Sequence, residues 1–389
     1  MTEVQYLTLD SLEEGVGSSQ VLSYVERLAK NWNIELISFE KNLSSMEQSD
    51  SITKGRFTWR PLIFGKYGQL AGLNRIWRLK RVVNTIAVVH ARSDFAAFAA
   101  IFAGSKRVIW DCRALTADQR IAAKNKSRLS VEYLALRLIE AVCAKKSHKI
   151  IVITEKARLF LQQRYVIPEN KFLHVSTCVD LQRFRNDRRV VVGSGQVIRI
   201  ALVGTIGPQY DIDLINKILD ELRQHRKVQF SVALSKGSTE LSHRLKSDTT
   251  LSLTHGEMPE FIASQDIGLS IWRENMGVSL LSVAATKNAE FLACGKPLIV
   301  NENQGDIGGW IRETRTGVST RASDSLSIER YVDEILSLLD EGESLGERCR
   351  SLAEKHYSLD NAIEQISKVY STLNVTQPDT KNSVIPPAW

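Results

Sequence analysis

Strand-like and helix-like segments alternate twice along this chain, and a polar segment separates the two series. The first series includes apolar runs suited to buried strands at Val4–Leu9 and Ile34–Phe39, with an amphipathic stretch at Ser18–Lys30 between them. After the charged, glycine-containing segment Arg185–Gln196, the alternation begins again at Val197–Val203. Because each series predicts a doubly wound parallel sheet, we expect an α/β protein with two Rossmann-like domains that face a cleft.

The expected domain boundaries follow the same pattern. We predict an N-terminal domain over residues 1–190 and a C-terminal domain over residues 197–352. A helix over residues 353–374 is expected to pack back toward the N-terminal domain, and residues 375–389 are expected to form a loose tail. A chain of 389 residues exceeds what one hydrophobic core usually serves, which agrees with two domains.

The five cysteines are scattered, and neither a Cys-x-x-Cys pair nor a Cys/His cluster with zinc-ligand spacing occurs. This pattern indicates a reducing compartment, and we expect no metal and no other cofactor. A strand begins almost at the N-terminus, which predicts no signal peptide, and the longest apolar stretch is too short and too charged to span a bilayer. We therefore expect a cytoplasmic protein that contacts, at most, the inner face of the membrane.

Positive charge is concentrated in the first half of the chain. Residues 51–150 contain 20 lysines and arginines against 5 aspartates and glutamates, whereas the whole chain has a net charge of +7. This asymmetry indicates a polyanionic partner, for which anionic lipid headgroups, a lipid diphosphate and nucleic acid all qualify. The basic segment Gly68–Ile86, with Trp77, is typical of a helix on an anionic membrane surface or of an ordinary solvated helix. Because no recognised nucleic-acid module occurs, we expect no nucleic-acid partner.

Residues 284–301 predict the start of a helix, a glycine that ends it and a buried strand. Lys287 and Glu290 are three residues apart and therefore lie on one helical face. Gly295 can take the left-handed conformation that ends a helix, and the apolar run Leu298–Val300 suits a parallel strand. A cation and a carboxylate near a helix N-terminus can hold the phosphate and the hydroxyls of a nucleotide-sugar, although surface pairs of this kind are also common.

A second candidate site follows the first predicted strand. Gly15, Gly17 and Ser18 lie between that strand and the next helix, where glycine lets the backbone approach a phosphate and the helix N-terminus favours an anion. The spacing is not that of a dinucleotide-binding loop. The alternative is an ordinary turn between a strand and a helix.

The ends of two later strands carry further charged residues. Asp111 and Arg113 end a predicted strand, and Arg113 could hold a phosphate through two hydrogen bonds or could simply pair with Asp111 to fix the loop. Arg92 beside Asp94 is expected to form an ion pair, and His90 is expected to be a core residue.

Taken in order, these segments resemble the retaining glycosyltransferases of family 4, which have the GT-B fold. The resemblance extends from Val4 to Leu373 and rests on separate short motifs. They are Gly15-Val-Gly17-Ser18, His90-Ala-Arg92-Ser-Asp94, Trp110-Asp111-Cys-Arg113, Ile153-Thr154-Glu155, Thr177-Cys-Val179-Asp180, Val203-Gly204-Thr205-Ile-Gly207, Asp266-Ile-Gly-Leu, Thr286-Lys287-Asn-Ala-Glu290 and Gly305-Asp306-Ile.

The resemblance implies a reaction and a set of partners. It implies transfer of a sugar, with retention and without a metal, from a nucleotide-sugar donor to a saccharide or lipid-linked saccharide acceptor in cell-surface polysaccharide biosynthesis. The N-terminal domain would face the acceptor, and the C-terminal domain would bind the donor. Asp111 is the nearest candidate for the position at which many members contact the donor sugar with a histidine, and Arg113 would add positive charge there.

The resemblance also assigns donor-binding residues, with departures from the family pattern. Glu290 would bind the ribose hydroxyls. Ser282 stands where the family has the first of its two glutamates, Thr205 stands where it has an arginine, and the segment that follows lacks the family's lysine. We therefore expect Lys287 and the turn that contains Gly204 and Thr205 to contact the diphosphate instead.

Three alternatives remain open at this point. A nucleotide-sugar 2-epimerase shares the fold and would turn over without an acceptor. A catalytically silent nucleotide-sugar-binding scaffold would fit the missing glutamate, arginine and lysine of the family pattern. A nucleic-acid binder would fit the basic half of the chain alone.

Overall fold

The computed structural model describes residues 2–12, 17–41, 52–64, 71–124, 126–185, 196–234, 242–321 and 327–375. Within these ranges the first domain contains seven strands, all parallel to their neighbours. They are β1 (Val4–Leu7), β2 (Ile34–Glu40), β3 (Thr58–Ile63), β4 (Val88–Arg92), β5 (Val108–Cys112), β6 (Lys149–Val152) and β7 (Phe172–His174). Their order across the sheet is β3-β2-β1-β4-β5-β6-β7.

The second domain contains a six-stranded sheet, which is also parallel throughout. Its strands are β8 (Ile198–Val203), β9 (Val228–Leu234), β10 (Thr249–Ser252), β11 (Ile267–Ser270), β12 (Leu298–Asn301) and β13 (Gly317–Thr320). They are arranged in the order β10-β9-β8-β11-β12-β13. Two doubly wound parallel sheets confirm the predicted fold class.

Helices cover both faces of each sheet. The first domain has α1 (Ser23–Leu28), α2 (Ala71–Val82), α3 (Asp94–Phe102), α4 (Thr116–Lys124), α5 (Val131–Lys146) and α6 (Glu155–Tyr165). The second has α7 (Ile212–His225), α8 (Met258–Ala263), α9 (Thr286–Ala293), α10 (Ile307–Thr314), α11 (Ile328–Leu339) and α12 (Glu343–Tyr357). The last helix is α13 (Leu359–Val375). No helix in the described part of the chain is long and apolar enough to cross a membrane.

The closing segment differs from the expected single helix over residues 353–374. Ser358 has extended backbone angles and pairs with Val179, so the segment forms two helices, α12 and α13. The Ser358 hydroxyl accepts a hydrogen bond from the N–H of Asn361 at 3.3 Å, which caps α13. Helix α12 belongs to the core of the second domain, whereas α13 packs Ile366 and Tyr370 against the first sheet.

The first helix also differs from its predicted range of Ser18–Lys30. A π-helical turn over Gly17–Leu22 precedes α1, and Ser18 lies inside that turn. A Cβ atom at residue 17 would lie 1.8 Å from the carbonyl oxygen of Ser11, so only glycine fits this approach. By contrast, Gly295 has a φ of 70° and ends α9 as predicted.

Candidate functional site

A cavity of about 980 Å³ lies between the two domains, at the carboxyl ends of the strands. The strand order reverses between β1 and β4 in the first sheet and between β8 and β11 in the second. The loops that leave these four strands contribute Asp10, Ser93, Gly204 and Trp272 to the cavity wall. Ligands of doubly wound sheets bind at such reversal points, so both domains place their binding edge on the same space.

Most of the residues selected from the sequence lie on this cavity. Its wall includes Ser18, Arg113, Gly204, Thr205, Lys287 and Glu290. Gly17 and Asp111 are buried outside the wall, and Gly15 lies outside the described residues. The structure therefore brings together side chains that are up to 272 positions apart in the sequence, from Ser18 to Glu290.

Lys287 is a buried cation at the start of α9. Its side chain is buried on the cavity wall, and its Nζ donates a hydrogen bond to the Tyr210 hydroxyl at 2.5 Å. The same Nζ lies 4.4 Å from the centre of the Tyr210 ring. Burial lowers the pKa of Lys287 to about 7, although Glu290 opposes this shift. An anion in the cavity would restore the charge that burial disfavours.

Glu290 lies one helical turn further along α9. Its carboxylate accepts no hydrogen bond from the residues that the structure describes, and it faces the cavity. Burial raises the pKa of Glu290 to about 7, while Arg183 and Lys287 lower it. A buried carboxylate without a donor is available to the hydroxyls of a ligand.

Arg113 carries unused donors on the opposite side of the cavity. Its Nε donates to the Asp111 carboxylate at 2.8 Å, whereas neither Nη atom has an acceptor among the described residues. Burial raises the pKa of Asp111, but Arg113, His90 and Arg92 lower it by more, so the pKa lies far below its usual value. Asp111 therefore stays ionised beneath Arg113 and fixes the direction of the guanidinium.

Arg92 lies on the cavity wall, although the sequence predicted only an ion pair with Asp94 for it. Its Nε donates to Asp10 at 3.0 Å, and Asp94 instead accepts a hydrogen bond from the indole of Trp110 at 3.1 Å. The predicted Arg92–Asp94 ion pair is thus wrong, because α3 begins at Asp94 and turns this side chain toward β5. Arg92 and Asp111 are opposite each other at the ends of paired strands, which brings a second guanidinium to the same wall.

His90 has the buried structural role that was expected for it. Its Nδ1 lies 2.7 Å from the Tyr370 hydroxyl of α13, and its ring stacks on Tyr6 at 4.4 Å. Burial lowers the pKa of His90, which favours the neutral ring, although Asp111 opposes this shift. His90 therefore links the first sheet to the closing helix rather than lining the cavity.

The loop after β8 reaches the cavity wall, and the N–H of its glycine already has a partner. Gly204 has a φ of 110°, and its N–H donates to the Ala233 carbonyl at 2.8 Å. This N–H is therefore satisfied by β9, and Gly204 offers the ligand open space instead of a donor. Thr205 is exposed on the wall.

Ser282 connects the two domains beside the cavity. Its hydroxyl accepts a hydrogen bond from the N–H of Leu115 at 3.0 Å and donates to the Ser279 carbonyl at 3.1 Å. Asp306 makes a second connection, because its carboxylate accepts hydrogen bonds from the N–H groups that begin α6, at 2.6 Å for Glu155. These contacts hold the first domain against the second at the rear of the site.

Asp211 and Asp213, two aspartates at the start of α7, both have structural partners. Asp211 caps α7 by accepting a hydrogen bond from the N–H of Leu214 at 3.1 Å. Asp213 forms an exposed ion pair with Arg244. Among the described residues, no group of three or more His, Cys, Asp and Glu side chains has an arrangement that could hold a metal ion.

Large apolar side chains are exposed on one face of the first domain, away from the cavity wall. Leu129, Val131, Leu134 and Leu138 lie along α5 and its N-terminal loop, and we call them the α5 stripe; 83% of Val131 and 66% of Leu138 are exposed. Leu73 and Trp77 of α2 are exposed on the same face, because α2 packs on α3 and α3 packs on α5.

No protein-family model matches this chain, and no curated protein matches it either. Solved structures match it along nearly its whole length. Sucrose-phosphate synthase from Thermosynechococcus elongatus has a TM-score of 0.70 at 11% identity, covering 97% of this chain and 100% of that one. A glycosyltransferase from Rickettsia africae has a TM-score of 0.68 at 12% identity, covering 97% and 99%.

A third solved structure is the Anabaena protein HepE in complex with UDP-glucose. Its TM-score is 0.67 at 10% identity, and the match covers 95% of this chain and 99% of that chain. At such identities the similarity establishes the fold alone. The chain has the GT-B fold, with two Rossmann-like domains around a cleft.

Proposed function

We propose that this chain is a glycosyltransferase that moves a sugar from a nucleotide-sugar to a hydroxyl of a saccharide or lipid-linked acceptor. The observation that carries the proposal is the pairing of Lys287 and Glu290 on one cavity wall with unused Arg113 donors on the other. A diphosphate between two cations and a ribose beside a free carboxylate would satisfy all three groups. The similar solved structures, which include HepE with UDP-glucose, support the same function.

The leaving group of this reaction is a nucleoside diphosphate, whose negative charge grows as the sugar bond breaks. Lys287 and Arg113 would stabilise that charge, and both are already held in place, by Tyr210 and Asp111. Preorganised charge in a water-poor cavity is usually the largest contribution to catalysis. Arg92 would support the same charge from the end of β4.

We infer a family 4-like enzyme that retains the configuration of the transferred sugar and acts in cell-surface polysaccharide biosynthesis. The sequence motifs support this assignment, and Ser282 and Thr205 mark where the chain departs from the family pattern. The cavity already supplies cations to the diphosphate, so we propose that turnover needs no metal and continues in the presence of a chelator.

We propose that the protein works on the cytoplasmic face of a membrane with anionic lipids. The α5 stripe would enter the headgroup region, and the basic residues around it would contact lipid phosphates. Lys124 and Lys126 flank the stripe and share Glu132 as an ion-pair partner, whereas Arg78 and Arg81 of α2 have no ion-pair partner among the described residues. All five cysteines are buried and none is joined in a disulfide, which supports a cytoplasmic location.

A donor screen tests the proposed function. UDP-, GDP-, ADP- and dTDP-sugars are added separately, and the melting temperature is measured, because a ligand that binds only the folded protein raises it. The donor that binds is then incubated with saccharide acceptors, and release of the nucleoside diphosphate and the product anomer are followed. Turnover without an acceptor would indicate an epimerase, and binding without any product would indicate a scaffold. Failure of every nucleotide-sugar to bind would contradict the proposal.

A further inference from the structure

A second cavity of about 410 Å³ opens beside the first. Gln119, Trp272 and Met276 line both cavities, so the two spaces adjoin. Gln119 and Ala122 come from α4 of the first domain, whereas Trp272 and Asn275 come from the second domain. The side cavity therefore exists only where the two domains approach each other.

Side-chain amides form most of the polar wall of the side cavity. The side chains of Gln119, Gln209 and Asn275 make no hydrogen bond with the residues that the structure describes. Each primary amide offers two donors and one acceptor oxygen. Sugar hydroxyls also donate and accept, so a saccharide can use every group in this set.

Trp272 gives the side cavity an aromatic wall. Its ring packs on Tyr210 with the ring centres 5.4 Å apart, and its Nε1 is buried without an acceptor in the described chain. The apolar C–H face of a sugar ring packs well on an aromatic ring whose polar edge can also bind a hydroxyl oxygen. Binding sites generally combine such an apolar surface with a few well-placed polar groups.

The charge of the wall limits the kinds of ligand that the side cavity can bind. Arg273 is the charged side chain of the described wall, and no carboxylate accompanies it. Its Nε donates to the Tyr210 carbonyl at 3.2 Å, which orients the guanidinium. A positive wall disfavours basic ligands and suits neutral or acidic ones.

We propose that the side cavity binds the acceptor sugar next to the one that reacts, so that the natural acceptor is an oligosaccharide with neutral or acidic residues. The inference rests on the proposed function, because the main cavity must hold the donor for the side cavity to hold an acceptor. Since α4 and the second domain both contribute walls, a bound oligosaccharide would contact both domains and would favour the arrangement in which they lie close together.

A glycan array tests the proposal with the full chain, in the presence and absence of UDP, GDP or dTDP. We expect binding to oligosaccharides and not to the corresponding monosaccharides. The double variant Gln119→Ala, Asn275→Ala should weaken that binding about ten-fold, since each lost hydrogen bond contributes a few-fold in affinity. Ala122→Trp, which fills the cavity from α4, should abolish it, and Gln163→Ala, an exposed change on α6, should have no effect.

Melting temperatures with the same nucleotides are measured for every variant. An array in which no oligosaccharide binds, or on which Ala122→Trp binds as tightly as the wild type, overturns the assignment of the side cavity. Failure of the wild type to bind any nucleotide or nucleotide-sugar counts against the proposed function instead. Loss of glycan binding with unchanged nucleotide binding supports both.

Discussion

At the level of single residues, the site places a positive charge where burial disfavours it. Lys287 donates to a neutral hydroxyl rather than to a carboxylate, so only weak partners compensate its charge before a ligand binds. Arg113 differs, because Asp111 holds it ionised at any ordinary pH. The two cations thus have separate roles: Arg113 supplies a constant charge, and Lys287 supplies one that a bound anion strengthens.

We expect Lys287→Met to weaken binding of the donor nucleotide-sugar by about ten-fold to a hundred-fold. A hydrogen bond from a charged group contributes about 1.5–3 kcal/mol, which corresponds to that range. Titration calorimetry measures the change, and Lys217→Met, an exposed lysine on α7, is the matched control. A variant with unchanged KM and kcat would show that Lys287 does not contact the donor.

The pH dependence of donor binding should have two limbs around pH 7. Above pH 7 affinity falls, because Lys287, with a pKa of about 7, loses the proton that a bound diphosphate requires. Below pH 7 affinity falls again, because Glu290, also with a pKa of about 7, becomes protonated and no longer accepts strongly from hydroxyls. Nucleotide-sugars do not titrate near pH 7. Affinities measured by calorimetry at several pH values therefore report the titration of the protein's own groups.

Two variants distinguish the loss of donor affinity at low pH from the loss at high pH. Glu290→Gln should remove the loss of affinity at low pH and keep the loss at high pH, whereas Lys287→Met should do the reverse. Wild-type affinity that stays constant between pH 6 and pH 8 would contradict both assignments, since a pKa of about 7 is the premise of each.

Asp111→Asn should destabilise the protein and slow turnover. Breaking a buried ion pair leaves an uncompensated charge, which costs about 3–5 kcal/mol in the free energy of unfolding. Urea denaturation measures this loss, and Asp213→Asn serves as the control, because its ion pair with Arg244 is exposed and contributes about 0–1 kcal/mol. Full stability and full turnover in Asp111→Asn would rule out its role in positioning Arg113.

At the level of elements, local patterns predicted those features that depend on neighbours in the sequence. Gly295 ends α9 as expected, because helix ends are decided by residues within one turn. Gly17, which begins the π-helical turn, lies close to the carbonyl of Ser11 in a loop, and no sequence periodicity predicts such an approach. The break at Ser358 depends on pairing with Val179, which is far away in the sequence.

The residues of the site could likewise be predicted from the sequence only where their partners are close in the chain. Lys287 and Glu290 were found because helical spacing alone puts them on one face. Arg92 was paired with the wrong carboxylate, because its true partner Asp10 follows a different strand. Tyr210 was missed, since an aromatic residue in a loop carries no periodic pattern, although a tyrosine beside the turn after β8 was a usable indication.

The helix α13 provides a prediction about stability. Ile366 is fully buried between α13 and the first sheet, and Ile366→Ala should lower the free energy of unfolding by about 2–5 kcal/mol. Gln365→Ala changes an exposed neighbour on the same helix and should have an effect near zero. Equal effects of the two substitutions in urea denaturation would show that α13 does not pack on the first domain.

At the level of the whole molecule, apolar and basic groups share one face of the first domain. We expect the protein to sediment with vesicles that contain phosphatidylglycerol and to remain in solution with neutral phosphatidylcholine vesicles. Replacing Leu134 and Leu138 with serine should lower the bound fraction several-fold, because each exposed leucine would lose its apolar contact with the bilayer. Val166→Ser, at an exposed apolar residue outside the α5 stripe, is the control, and equal binding by all three proteins would exclude the stripe as the contact.

The position of α13 has a consequence for biosynthesis. Because this helix contributes Ile366 and Tyr370 to the first sheet, the earliest part of the chain to leave the ribosome lacks one of its own packing partners. Its apolar face stays uncovered until α13 itself has emerged, and the second domain, which precedes α13 in the chain, emerges before it. The last helix to be made therefore completes the core of the first domain to be made. A nascent chain stalled before this helix should bind chaperones more than the complete chain does.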